Sequence, residues 1–76
     1  MNEKLRAIFT STLGIQASEV VNEMSMDNTL AWDSVAHLNI VLSIEQEFGV
    51  QFSPEEFMRL QSLGAIRREL AERGVA

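Results

Sequence analysis

The sequence predicts an all-α fold: a small four-helix bundle of three principal helices and one short helix, with a long first loop. Three observations carry this reading. Apolar residues recur at helical spacing in separate stretches, and a capping side chain or a glycine stop marks the ends of those stretches. No alternating run or strand pair interrupts them. At 76 residues the chain fits one domain, residues 1–76, and a chain of this size buries only about 60% of its unfolded surface, so a deep enclosed active site is not expected.

Leu5, Ile8, Phe9 and Leu13 stand at i, i+3, i+4 and i+8, which predicts a first helix over residues 3–13. Gly14 followed by Ile15 reads as a left-handed stop with its hydrophobic contact. From Gly14 to Asp33 no period persists, but Ile15, Val20, Val21, Met24, Met26 and Leu30 are spread through the stretch like anchors. A connection of about 20 residues far exceeds the usual length, and the anchors argue for a loop pinned by its own side chains. A short helical turn around Ser18-Glu19-Val20 is weakly signalled.

Ser34 to Phe48, closed by Gly49, is the strongest helix signal. A helical wheel groups Leu38, Val41, Ile44 and Phe48 as the inner face with Ile40 at its margin, and Asn39, Ser43, Gln46 and Glu47 as the wet face. Val35 and Leu42 fall at the other margin, where a partner could meet them. Ser53-Pro54-Glu55-Glu56 has the form of a capping box with proline at the first helical position, and opens a short helix carrying Phe57, Met58 and Leu60. Ser62 caps a last helix in which Leu63, Ile66 and Leu70 share a face, while Arg67, Arg68, Glu69, Glu72 and Arg73 are expected in solvent. Met24, Met26 and Met58, with the phenylalanines Phe9, Phe48, Phe52 and Phe57, read as core, although methionine's pliancy would also suit a cavity that opens.

Composition narrows the function. A net charge of −5 and a sequence pI near 4.6 disfavour nucleic acid, which demands a concentrated basic face, and point to partners with basic surfaces. With no cysteine and one histidine, disulfides, a thiol nucleophile and a metal centre have nothing to assemble from, and no nucleophile with a positioned base can be built. His37 is accordingly expected to be structural or superficial. The stretch Asp27 to Asp33 looks superficially like a calcium loop but lacks its glycine and closing glutamate. The absence of cysteine suits a reducing cytoplasm, and no apolar signal core or membrane-length run appears, so the expectation is a cytoplasmic protein that does not enter membranes, with a monomer as the default state.

The informative feature is Asp33-Ser34, two capping residues side by side where one would serve. If Asp33 caps, Ser34 becomes a first-turn hydroxyl at a helix end that favours a phosphate.

Here the sequence resembles the acyl carrier proteins and related carrier domains, which bear 4′-phosphopantetheine on the serine of an Asp-Ser motif. The resemblance rests on Leu13-Gly14-Ile15, the long loop, Asp33-Ser34, Ile44-Glu45-Gln46-Glu47-Phe48-Gly49 and Ser53-Pro54-Glu55-Glu56, and covers nearly the whole chain. It implies that Ser34 receives the arm from coenzyme A, and that Asp33 orients the serine and helps hold the metal of a phosphopantetheinyl transferase. It further implies that Val35 and Leu42, with Glu45, Glu47, Glu55 and Glu56, meet acyl-loading, condensing and acyl-transfer enzymes through their basic docking surfaces. The implied function is non-enzymatic: carriage of acyl thioesters in fatty-acid, polyketide or other specialised biosynthesis. Two departures stand out. Trp32 replaces a common leucine, and the start of the second helix has Ala36, His37 and Asn39 where many fatty-acid carriers have acidic residues. A specialised carrier fits this thinned acidic face. An aminoacyl or peptidyl carrier, or an unmodified helical interaction module, are the alternatives.

Overall fold

The computed structural model describes all residues, 1–76. Helix α1 spans Glu3–Leu13, a 3₁₀ turn follows at Ala17–Glu19, and α2 spans Ser34–Phe48, α3 Pro54–Arg59 and α4 Leu63–Glu72. Every expected element is present. Helix α1 begins at Asn2, whose side chain accepts the amides of Lys4 and Leu5, and it ends at Gly14 with φ 67°. Gly49, φ 66°, ends α2 in the same left-handed conformation, which a side chain at that position would strain. The capping box opening α3 is complete: Ser53 and Glu56 each accept the other's amide, at 3.1 and 2.8 Å. Ser62 caps α4 through the Ala65 amide.

The core is one apolar cluster in which Leu5, Phe9, Trp32, Ile40, Ile44, Leu63, Ile66 and Leu70 are almost wholly enclosed. Helix α1 packs against α2, and α4 turns its Leu63, Ile66 and Leu70 edge inward as its spacing requires. An Arg73 network closes the seam of α3 and α4: its guanidinium reaches Glu69 at 2.7 Å and Glu56 at 2.9 Å and lies over the Phe52 ring. Glu69 and Arg73 are therefore half-buried, not simply solvated as the sequence pattern suggested.

The first loop is pinned, but by fewer apolar anchors than expected. Val20 and Met24 are buried, and Ile15 and Met26 pack on the core. Val21 and Leu30 are exposed instead, Leu30 completely. Polar ties complete the pinning. Arg6 donates to the Ala17 and Val20 carbonyls, Asn28 ties the Ser25 amide to the Glu23 carbonyl, and Arg67 of α4 holds Asn22 at 2.7 Å. Ser25 and Ser62 form an isolated antiparallel bridge, in which Met26 donates to the Gln61 carbonyl and Leu63 to that of Met24, each at 3.0 Å.

The inner face of α2 is rotated from the wheel's prediction. Ala36, His37, Ile40, Val41 and Ile44 are buried, while Leu38 lies outside and Phe48 is only half-buried. Met58, expected in the core, is also exposed. The reason for the rotation is His37, a polar residue held inside by hydrogen bonds.

Candidate functional site

Asp33 is the N-cap of α2. Its backbone is extended (φ −95°, ψ −173°), its Oδ1 accepts the Ala36 amide at 2.9 Å, and its carbonyl accepts the His37 amide at 2.8 Å. One carboxylate oxygen thus satisfies a first-turn donor that would otherwise lack a partner. Ser34 is relieved of capping and becomes the first residue of the helix, with its side chain exposed. The double cap of the sequence resolves into one cap and one free hydroxyl.

Trp32 fixes this turn. Its amide donates to the Thr29 carbonyl at 2.9 Å, and its buried ring meets Phe9 of α1 edge to face at a centroid distance of 5.1 Å. The indole N–H donates to Nδ1 of His37 at 3.1 Å. Because indole is a donor only, Nδ1 must accept, and the imidazole proton lies on Nε2. That nitrogen donates to the Phe57 carbonyl at 2.8 Å, and the His37 and Phe57 rings touch at 4.6 Å between centroids.

The second of these bonds explains why a histidine is buried. Helix α3 has only six residues and ends at Leu60 (φ −89°) without the left-handed residue that commonly completes a helix, so its last-turn carbonyls need other donors. His37, 2% exposed, supplies one. Both its nitrogens are engaged and it faces away from solvent, so it is structural and offers neither a base nor a ligand to the surface.

Exposed apolar side chains follow Ser34 along α2. Val35 is 70% exposed and Leu38 and Leu42 are each 48% exposed, and their i, i+3, i+7 spacing lays them along one stripe of α2. Leu30 stands fully exposed four residues ahead of Ser34, and Met58 is exposed on α3. Val35 and Leu42 were legible as surface residues. Leu38, Leu30 and Met58 were missed, because hydrophobicity alone assigned them inward.

The four carboxylates divide into two kinds. Glu47 and Glu55 are exposed. Glu45 is half-buried and accepts the Phe52 amide at 2.9 Å, bracing the turn after α2. Glu56 belongs to the α3 capping box and the Arg73 pair; the Ser53 backbone amide first, and then Arg73, hold its carboxyl below the usual glutamate range. Arg73 is in turn pushed further above its ordinary value, chiefly by its hydrogen bond to Glu69. Glu45 and Glu56 thus have structural work inside the chain, whatever they offer a partner.

The arrangement suits attachment of a phosphate ester. The serine oxygen is accessible, the cap leaves the first two α2 amides without a partner in the helix, and the helix end carries partial positive charge. Nowhere in the chain do three His, Asp or Glu side chains converge so as to hold a metal ion. The family model described as phosphopantetheine attachment site matches residues 3–70.

Proposed function

Since the chain belongs to the phosphopantetheine attachment-site family, whose domains carry 4′-phosphopantetheine covalently and act as carriers, we propose that Ser34 bears this arm and that residues 1–76 form one acyl carrier domain. The observation that supports the site is the division of labour at Asp33-Ser34: the aspartate caps α2, and the serine hydroxyl is left exposed.

The residues fit the group. Ser34 would hold it by an ester to its Oγ, with the N-terminal amides of α2 favouring the phosphate's charge. Once bound, the arm supplies the thiol that a cysteine-free chain lacks, on which an acyl group is held as a thioester. The chain's own contribution is positional. Trp32 and His37 hold the turn rigid, so that the serine is presented to a transferase in one geometry. Asp33 keeps one oxygen on the cap and contributes its charge beside the serine, where a transferase brings its divalent metal.

Enzymes that reach Ser34 must also cover the neighbouring stripe of Val35, Leu38 and Leu42, which supports a docking surface centred on α2. Glu47 and Glu55 would provide the outer electrostatic contacts with a basic partner, and Glu45 and Glu56 weaker ones because of their internal bonds. A small apolar centre with a thin charged rim suits brief encounters, which a carrier needs in order to leave each enzyme.

Intact mass after incubation with coenzyme A, magnesium and a promiscuous phosphopantetheinyl transferase tests the site. One phosphopantetheine increment is expected on the wild type and none on Ser34→Ala. An increment retained in Ser34→Ala refutes the site; none on a folded wild-type protein with several transferases favours an unmodified interaction module.

A further inference from the structure

An apolar chain hung from Ser34 would gain by leaving water for the nearest apolar space. The two seams nearest Ser34 are those of α2 with the first loop and of α2 with α3. Both are closed by side chains that cannot withdraw without loss. Trp32 shuts the first, wedged against Phe9 and bonded to His37. His37 and Phe57 shut the second, ring against ring and bonded through the Phe57 carbonyl. Behind them Ile40, Ile44 and Leu63 are fully enclosed. None of the five depressions on the surface is lined by Ser34, Trp32, His37 or Phe57.

The polar bonds matter more than the filled volume. A purely apolar core can yield by rotamer shifts, exchanging one apolar contact for another. Here an entering alkyl chain would separate the indole N–H from Nδ1 and Nε2 from its carbonyl, leaving buried donors and acceptors that hydrocarbon cannot satisfy. The same residue that terminates α3 therefore locks the bundle beside the attachment point.

Resting on the carrier reading, we propose that Trp32 and His37 exclude cargo from the helical bundle. The thioester is presented outside it, a manner of carriage suited to short or polar acyl and aminoacyl groups that need no apolar shelter. His37 and Trp32 are positioning residues that select cargo by closing space, without touching the reacting atoms.

The test compares wild-type protein loaded by the transferase from acetyl-coenzyme A with protein loaded from octanoyl-coenzyme A, loading being verified by intact mass. The readouts are the thermal midpoint and the emission of Trp32, the only tryptophan. Exclusion predicts the same midpoint and the same emission maximum for both. A higher midpoint together with an emission shift confined to the octanoyl form overturns the inference while leaving the carrier reading intact. No mass increment from either donor overturns both. His37→Ala, which removes both bonds and opens space, is expected to gain an octanoyl-specific rise in midpoint; a folded variant without that rise refutes the role of His37. If the variant does not fold, the wild-type comparison decides alone.

Discussion

Replacing His37 by leucine should cost far more than a change from polar to apolar in a core ordinarily suggests. The substitution keeps a side chain of similar bulk but leaves the Trp32 indole N–H and the Phe57 carbonyl without partners. Each orphaned buried group costs about 1–3 kcal/mol, and the gain from a more apolar side chain offsets part of the total, so a net loss of about 3 kcal/mol is expected. A chain of this length commands only about 4–11 kcal/mol in all, so the loss takes a quarter or more of it. At about 4–8 °C per kcal/mol for so small a domain, the thermal midpoint should fall by about 12–24 °C. Urea unfolding followed by far-ultraviolet circular dichroism measures the loss of stability, and a thermal melt measures the midpoint. A double-mutant cycle with Trp32→Phe isolates the indole bond. Once the indole donor is gone, His37→Leu strands one group fewer, and its cost should shrink by about 1 kcal/mol. A His37→Leu protein within about 0.5 kcal/mol of wild type, or strictly additive single mutants, would refute the argument that these bonds lock the turn to α3.

Three further outcomes follow from the geometry. Asp33→Ala should lower stability by about 1 kcal/mol through loss of the cap, whereas Asp33→Asn should keep the cap and stability but slow loading of Ser34; equal loading rates for Asp33→Asn and wild type would remove the carboxylate from the modification step. Leu38→Asp, at an exposed position, should change stability by less than about 0.5 kcal/mol yet slow transferase loading about tenfold, as expected for a contact near the centre of a small interface; an unchanged rate would show that the stripe is not covered during modification. The Glu56 carboxyl is held below the usual glutamate range, so the stability it contributes is fully present above that range and is lost as pH falls through its depressed folded-state value. Glu56→Gln should therefore show a shallower decline of stability on acidification, measured by urea midpoints from neutral pH down through the carboxylate range, and an unaltered slope would contradict this.

Much of the fold was legible because local signals agreed with one another. Gly14, Asp33, Gly49, Ser53 and Ser62 each act where their chemistry directs, so most helix boundaries follow from the sequence almost residue by residue. The inner face of α2 was misread because the binary pattern fails there twice. His37 is polar and goes inside, since its two nitrogens find partners in Trp32 and α3 that are remote from it in sequence or set by tertiary packing. Leu38 is apolar and remains outside, one helical turn from Ser34. Leu30 and Met58 break the pattern in the same sense. Such inversions concentrate where a surface has a use beyond stability. The Asp33-Ser34 motif was legible as a doubled cap; the lock behind it was not, because no spacing rule joins a histidine on one helix to the last turn of another.

The bridge between Ser25 and Ser62 ties the approach to Ser34 to a segment made much later in synthesis. The Met26 amide and the Met24 carbonyl find their backbone partners at Gln61 and Leu63, so the first loop lacks this clasp until the start of α4 has been made. Asp33 and Ser34 exist as a dipeptide long before they exist as an ordered turn. On the carrier reading, a transferase that requires the ordered turn would modify only chains whose α4 has been made and docked.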